Sequence, residues 1–173
     1  MFRSVPCLAA AGLAAALALP AALPAQAAGV AMAVLRAPDG ADFGRVTLTE
    51  TKAGLLVAAD LHGVPEGPHG FHIHATGACA PDFGAAGGHF VGAGDAHGMM
   101  ATATPHAGDL PNIHAPASGV VAVEALKPGL TLADLFDDDG AAIVVHAGAD
   151  DYASQPSGDA GGRIACGVIE AAE

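Results

Sequence analysis

Nine histidines occur in this 173-residue chain, and three of them fall in "GPHGFHIHATG", residues 67–77. On a strand, side chains two apart share a face, so His72 and His74 can present two imidazoles to one ion. H-x-H by itself is a weak signal. A cupin site would add a glutamate a few residues on, and "ATGACAPDFG" has none. A stronger set lies downstream, where His89, His97 and His106 are followed by Asp109 in "PHAGD". Three imidazoles and one carboxylate make a closed four-coordinate set suited to Zn²⁺. That closure disfavours a zinc hydrolase, which keeps one position open for water. His146, in "IVVHAG", ends an apolar strand, where a lone histidine is more often structural. Added to the H-x-H pair, it gives an imidazole-rich site suited to copper.

The elements that must position these side chains are short. "GVAMAVLRA", "GRVTLTE", "GLLVAADLHG", "GVVAVEAL", "AAIVVHAG" and "RIACGVIEA" read as strands between turn signals, and "LTLADLF" as a helical turn. This pattern predicts an all-β antiparallel sandwich or barrel. Residues 75–112 break it, with little alternation, eight glycines and three histidines. So long a loop inside a compact domain is usually functional, and a metal or a disulfide must organise what hydrophobic burial does not.

The first 27 residues, with one arginine, an apolar run and "AQA" ending at Ala27, read as a secretory signal peptide. Residues 28–173 then form one domain, periplasmic or otherwise exported and free of the membrane after cleavage. Cys79 and Cys166 remain, an even pair that reads as one disulfide in an oxidising compartment. A formal net charge of -12, from 6 basic and 18 acidic residues, excludes nucleic acid and anionic lipid as partners.

"GFHIH", "GGHF", "HG" at 97–98, "HAGDLPN", "VVHAGADDY" and "GGRIACGVI" stand in the order and spacing of one family. Together they resemble Cu/Zn superoxide dismutase of the bacterial, exported type, over essentially the whole chain after residue 27. The resemblance implies a Greek-key β-sandwich or barrel with long metal-binding and active-site loops. It implies an antioxidant oxidoreductase with one copper and one zinc per subunit, acting on superoxide anion. His72, His74, His89 and His146 match the copper ligands, and His89, His97, His106 and Asp109 the zinc ligands, with His89 bridging. Asp150 matches a carboxylate linking His72 to His97, and His69 a supporting residue that does not ligate. Cys79 and Cys166 match the family disulfide, and Arg163 the arginine beside the copper.

The activity so implied is one-electron cycling between Cu²⁺ and Cu⁺ that turns superoxide into O₂ and H₂O₂, with His89 and Arg163 in catalytic roles. The alternative is a non-catalytic periplasmic copper-binding module of the same fold. Such a module could lose Arg163, His146 or a zinc ligand, and this chain keeps them all. A homodimer is compatible with the sequence but not specified by it. His62 and His114 match no ligand motif, and Met99 and Met100 read as apolar residues packing the loop. The segment before Arg163, "AGADDYASQPSGDAGG", carries no other cation, so attraction of an anion must be local to the copper channel.

Overall fold

The computed structural model describes Met1 and residues 29–172; apart from Met1, the expected signal segment lies outside the described residues. Strands β1 (Val30–Arg36), β2 (Asp42–Thr51) and β3 (Gly54–Leu61) form a meander. Alternate side chains Ala31, Ala33, Leu35, Val46, Leu48, Leu55 and Val57 are buried, as a half-covered sheet requires. The chain then leaves this sheet to build β4 (Gly67–His69), β5 (Phe71–His74) and β6 (Ile113–Ala115), and returns as β7 (Val121–Pro128). A single helical turn, α1 (Leu132–Leu135), is capped by Thr131 and Asp134, each side chain bonding the other's backbone N–H. Strands β8 (Ala142–His146), β9 (Arg163–Val168) and β10 (Glu170–Ala171) complete the chain.

The main sheet runs β5-β8-β9-β1-β2-β3-β7, antiparallel and curled into a half-barrel, with β10 also on β1 and β4 paired to β6 apart from it. Strand β9 returns by a long connection to lie beside β1, giving the order β9-β1-β2-β3 of a Greek key. The six expected strand segments and the helical turn all form. Strands β4 and β6 did not show in the sequence, because three residues are too few to display a period.

Strand β8 is buried along its whole length, and so is β5. Phe71, Ile73, Ile143, Val145 and Ala165 face the barrel core. The opposite face is covered by residues 75–112, where Ala86, Phe83 and Cys79 pack on Ala142, Val144 and Cys166. This cover has little regular structure beyond a 3₁₀ turn, Phe83–Ala86. It is fastened to β9 by the Cys79–Cys166 disulfide, whose Cα atoms are 5.9 Å apart across 87 positions of chain.

Closing a loop of that length is worth roughly 4–5 kcal/mol through the entropy of the unfolded chain. Reduction should lower the urea midpoint of the metal-free protein by a correspondingly large amount. Equal midpoints with and without reductant would show that the bridge does not carry the cover.

Candidate metal centre

Period two on neighbouring strands brings the first donor set together. His72 and His74 lie opposite Val144 and Ala142, so they share the outer face of β5 and β8 with His146, two residues beyond Val144. The cover is stitched along β5 by backbone bonds: Ile73 N–H donates to Gly108 O at 2.9 Å, and Phe90 N–H to Ile73 O at 2.8 Å. Gly108 N–H in turn donates to Phe90 O at 2.7 Å. These bonds hold His89 over the H-x-H pair and carry His106 and Asp109 just beyond it. The His89 ring centroid is 4.0 Å from that of His72 and 5.0 Å from that of His74.

Within this face, His72 Nδ1, His74 Nε2, His89 Nε2 and His146 Nε2 are buried and have no hydrogen-bond partner among the described residues. The far nitrogen of three of these rings is tied to an oxygen. His72 Nε2–H donates to Asp150 Oδ2 at 2.8 Å, His74 Nδ1–H to Gly87 O at 2.9 Å, and His146 Nδ1–H to Gly161 O at 3.1 Å. Each such bond fixes a tautomer whose free lone pair faces the other rings, which is how metal-ligating histidines are oriented.

A second cluster adjoins the first. His89 Nδ1 and His97 Nδ1 lie 3.2 Å apart, and Asp109 Oδ1 is 2.8 Å from the former and 3.1 Å from the latter. His106 Nδ1, 3.7 Å from Asp109 Oδ1, has no hydrogen-bond partner. Donors about 2.0–2.1 Å from a tetrahedral zinc stand about 3.3 Å from one another, so these separations are the edges of such a tetrahedron. Four donor atoms in each group lie within 4.8 Å of one another, and His89 belongs to both groups. The two groups are able to bind copper and zinc.

Burial sets the protonation states a metal needs. Desolvation lowers the pKa of His74 to about 2 and of His146 to about 4, and lowers those of His72 and His106 as well. Neutral imidazole is the ligating form. Burial alone would raise the carboxyls of Asp109 and Asp150. The hydrogen bonds they accept outweigh it and hold both below the usual range, from His89 and Gly98 N–H for Asp109, and from His72, His97 and Tyr152 N–H for Asp150.

Asp150 spans the two groups, because its Oδ1 accepts from His97 Nε2–H at 2.9 Å while Oδ2 serves His72. Asn112 grips the Asp150 backbone from both sides, each bond 2.8 Å. Gln155 does the same for His97, accepting from its N–H and donating to its O at 2.9 Å. Gly158 has φ +67°, and a Cβ there would overlap the Asp150 carboxylate. The sequence reading passed over Asn112, Gln155 and Gly158. Only Asn112 left a trace, as the last letter of "HAGDLPN".

Arg163 lies beside His146 in the β8–β9 register, with its guanidinium donating to Phe83 O and Gly87 O. Gly87 O thus joins Arg163 to His74. His69 is buried, with one ring nitrogen 2.8 Å from His146 O and the other 2.8 Å from Pro65 O. It touches the backbone of a donor residue and contributes no donor. His62 and His114 are exposed, His62 lying 3.6 Å from Asp42. Met99 and Met100 do not pack the loop as expected; they are 45% and 72% exposed, because the bonds that close the loop are made by backbone at this point.

Residues 43–169 match the copper/zinc superoxide dismutase (SODC) family. A Cu-Zn superoxide dismutase of Caulobacter vibrioides is 46% identical over 148 residues, 81% of this chain and 85% of that protein. One from Aquifex aeolicus is 44% identical over 138 residues, 76% of this chain and 81% of that protein. The fold is similar to the Cu/Zn superoxide dismutase from Brucella abortus, with TM-score 0.70 and 32% identity over 82% of this chain and 99% of that one. A SOD-like protein from Bacillus subtilis gives TM-score 0.75 and 35% identity over 79% and 96% of the two chains. The chain therefore belongs to the copper/zinc superoxide dismutase family.

Proposed function

We propose that this chain, exported and freed of residues 1–27, dismutates superoxide, with copper held by His72, His74, His89 and His146 and zinc by His89, His97, His106 and Asp109. The observation that carries this reading is His89. Its Nε2 is unpartnered among the copper donors, and its Nδ1 lies 2.8 Å from Asp109 Oδ1 among the zinc donors. Bound copper supplies a one-electron couple that oxidises one superoxide to O₂ and reduces a second, whereas zinc has no accessible redox change.

The chain's own residues do the rest. His74 and His146 are held as neutral donors by Gly87 O and Gly161 O. In the reduced half of the cycle His89 Nε2 would be free to take up one proton from solvent and would give it to the departing peroxide, the second proton of H₂O₂ coming from solvent. Its Nδ1, turned to the zinc donors, keeps the ring in place meanwhile. Asp150 makes both sets respond together, since any rotation of His72 must move a carboxylate whose other oxygen holds His97. Arg163 spends two donors on Phe83 O and Gly87 O, which fixes its plane and leaves other N–H groups for the substrate anion.

Superoxide decay followed by fast absorbance, with protein carrying copper and zinc, should give a second-order rate on the order of 10⁸–10⁹ M⁻¹s⁻¹, the ceiling already attributed to superoxide dismutase as a class. A rate equal to that of buffer, with both metals bound, would leave a copper-holding module. Arg163→Ala should keep both metals and slow turnover about tenfold or more, the loss expected for one charge-assisted contact. Unchanged kinetics would remove its role. His89→Ala, loaded with copper at both sites, should lose the magnetic coupling that a shared imidazolate produces; persistent coupling would refute the bridge.

Acid should weaken the metal-free protein. Unfolded histidine binds protons near pH 6.5, whereas folded His146 and His74 stay neutral to about 4 and about 2. Stability is therefore full above about pH 6.5 and falls as pH drops through the window down to those values. A melting temperature constant from pH 7.5 to 5 would contradict this.

A further inference from the structure

Lys127 is one of the six basic residues, and it sits on β7, outside both donor sets. Its side chain runs to the turn that carries two zinc donors, where Nζ donates to His106 O and to Asp109 O, each at 3.0 Å. The same turn is closed by Asp109 N–H donating to His106 O at 3.2 Å. Lys127 is half-buried, and among the described residues it forms no ion pair. A partly desolvated ammonium without a carboxylate is costly unless its donors are well used. Here two of the three go to carbonyls exactly one turn apart.

The four zinc donors are anchored in different ways. His89 rides on the backbone stitching to β5, and His97 is gripped by Gln155. His106 and Asp109 end a turn that contains Gly108 and is tied by His106 N–H to Ala96 O, by Ala107 N–H to Val91 O and by the pairing of Asp109 with His72, while the carbonyls at its two ends face Lys127. The Lys127 ammonium joins those two ends to β7, a strand hydrogen-bonded along its length to β3. We propose that Lys127 is a positioning residue for the zinc donors, clamping the carbonyls of His106 and Asp109 so that their side chains hold the tetrahedral arrangement independently of the ion. The inference rests on the reading of His89, His97, His106 and Asp109 as the zinc set. A long apolar side chain of similar reach would fill the space but release both carbonyls.

The test compares Lys127→Met, Lys127→Arg and, as a change elsewhere on the strand, Glu124→Gln. Zinc release from each full-length copper-zinc protein to a chromogenic chelator is timed, and the visible bands of cobalt placed at the zinc donors are recorded. Lys127→Met should release zinc about 10–100-fold faster and shift the cobalt bands. Lys127→Arg should move both back toward the parent, and Glu124→Gln should change neither. Release and bands both unchanged in Lys127→Met overturn the proposal. Faster release with unshifted bands and a lower metal-free melting temperature also overturns it, since that is lost strand stability. If Lys127→Met does not fold, Lys127→Gln, polar but too short to span both carbonyls, replaces it with the same expected and overturning results. A parent protein that takes up neither zinc nor cobalt at these residues fails the zinc reading itself, which is a different result from either.

Discussion

Asp150 is the joint on which the two donor sets turn. Its carboxylate, fully buried, accepts one imidazole N–H from each set, His72 on one oxygen and His97 on the other. Removing either bond would free a ring to rotate, and losing the His72 bond would leave Oδ2 a buried acceptor without that partner, at a cost of about 1–3 kcal/mol. The protein secures the carboxylate from behind. Asn112 fixes its backbone, Tyr152 N–H reaches Oδ1 at 2.6 Å, and Gly158 leaves the room its oxygens need. The loop after β8 and the loop before β6 are thereby made parts of one site, although they are far apart in the chain.

The cover over β5 and β8 is held by polar and covalent ties as well as by apolar packing. It contributes Ala86, Phe83 and Cys79 to a small apolar cluster and Leu110, Phe90 and Ala107 to the main core. Five buried imidazole nitrogens in and under it have no hydrogen-bond partner among the described residues. Left so, each carries a desolvation cost, which is why native structures rarely keep such atoms. Two ions, each taking four donors, would satisfy all five at once. The metal is thus part of the folding energy of this face, while the disulfide and the Arg163 bonds to Phe83 and Gly87 hold the cover in register without it.

Much of this was legible in the sequence, for reasons that can be named. Strands β1, β2 and β3 alternate cleanly because one face meets the core and the other meets solvent. Strand β8 showed as an unbroken apolar run because both its faces are covered, and the sequence alone could not say by what. Donor residues announce themselves by type and spacing: His72 and His74 two apart, His106 and Asp109 three apart. Their supports do not. Gln155 and Lys127 act through backbone atoms of distant residues, and a side chain that bonds a carbonyl 18 or 21 positions away follows no local pattern. Tertiary proximity, not residue type, makes them part of the site.

Charge raises the sharpest tension, since the proposed substrate is an anion and the chain has a formal net charge of -12. The resolution is one of range. At physiological ionic strength exposed charges are screened beyond about 8 Å, so scattered surface carboxylates exert little pull or push on a small ion already in the channel. Arg163 is half-buried, where screening is weaker and its field stronger. Burial pushes its pKa down and Asp82 partly offsets this, and an arginine stays charged throughout. Asp82 and Arg163 line the same cavity of about 400 Å³, so the cation proposed to receive the substrate has an acidic neighbour there. The local field is therefore a difference between two opposite charges. At His74 and His146, burial and then the Arg163 charge both oppose protonation of the ring.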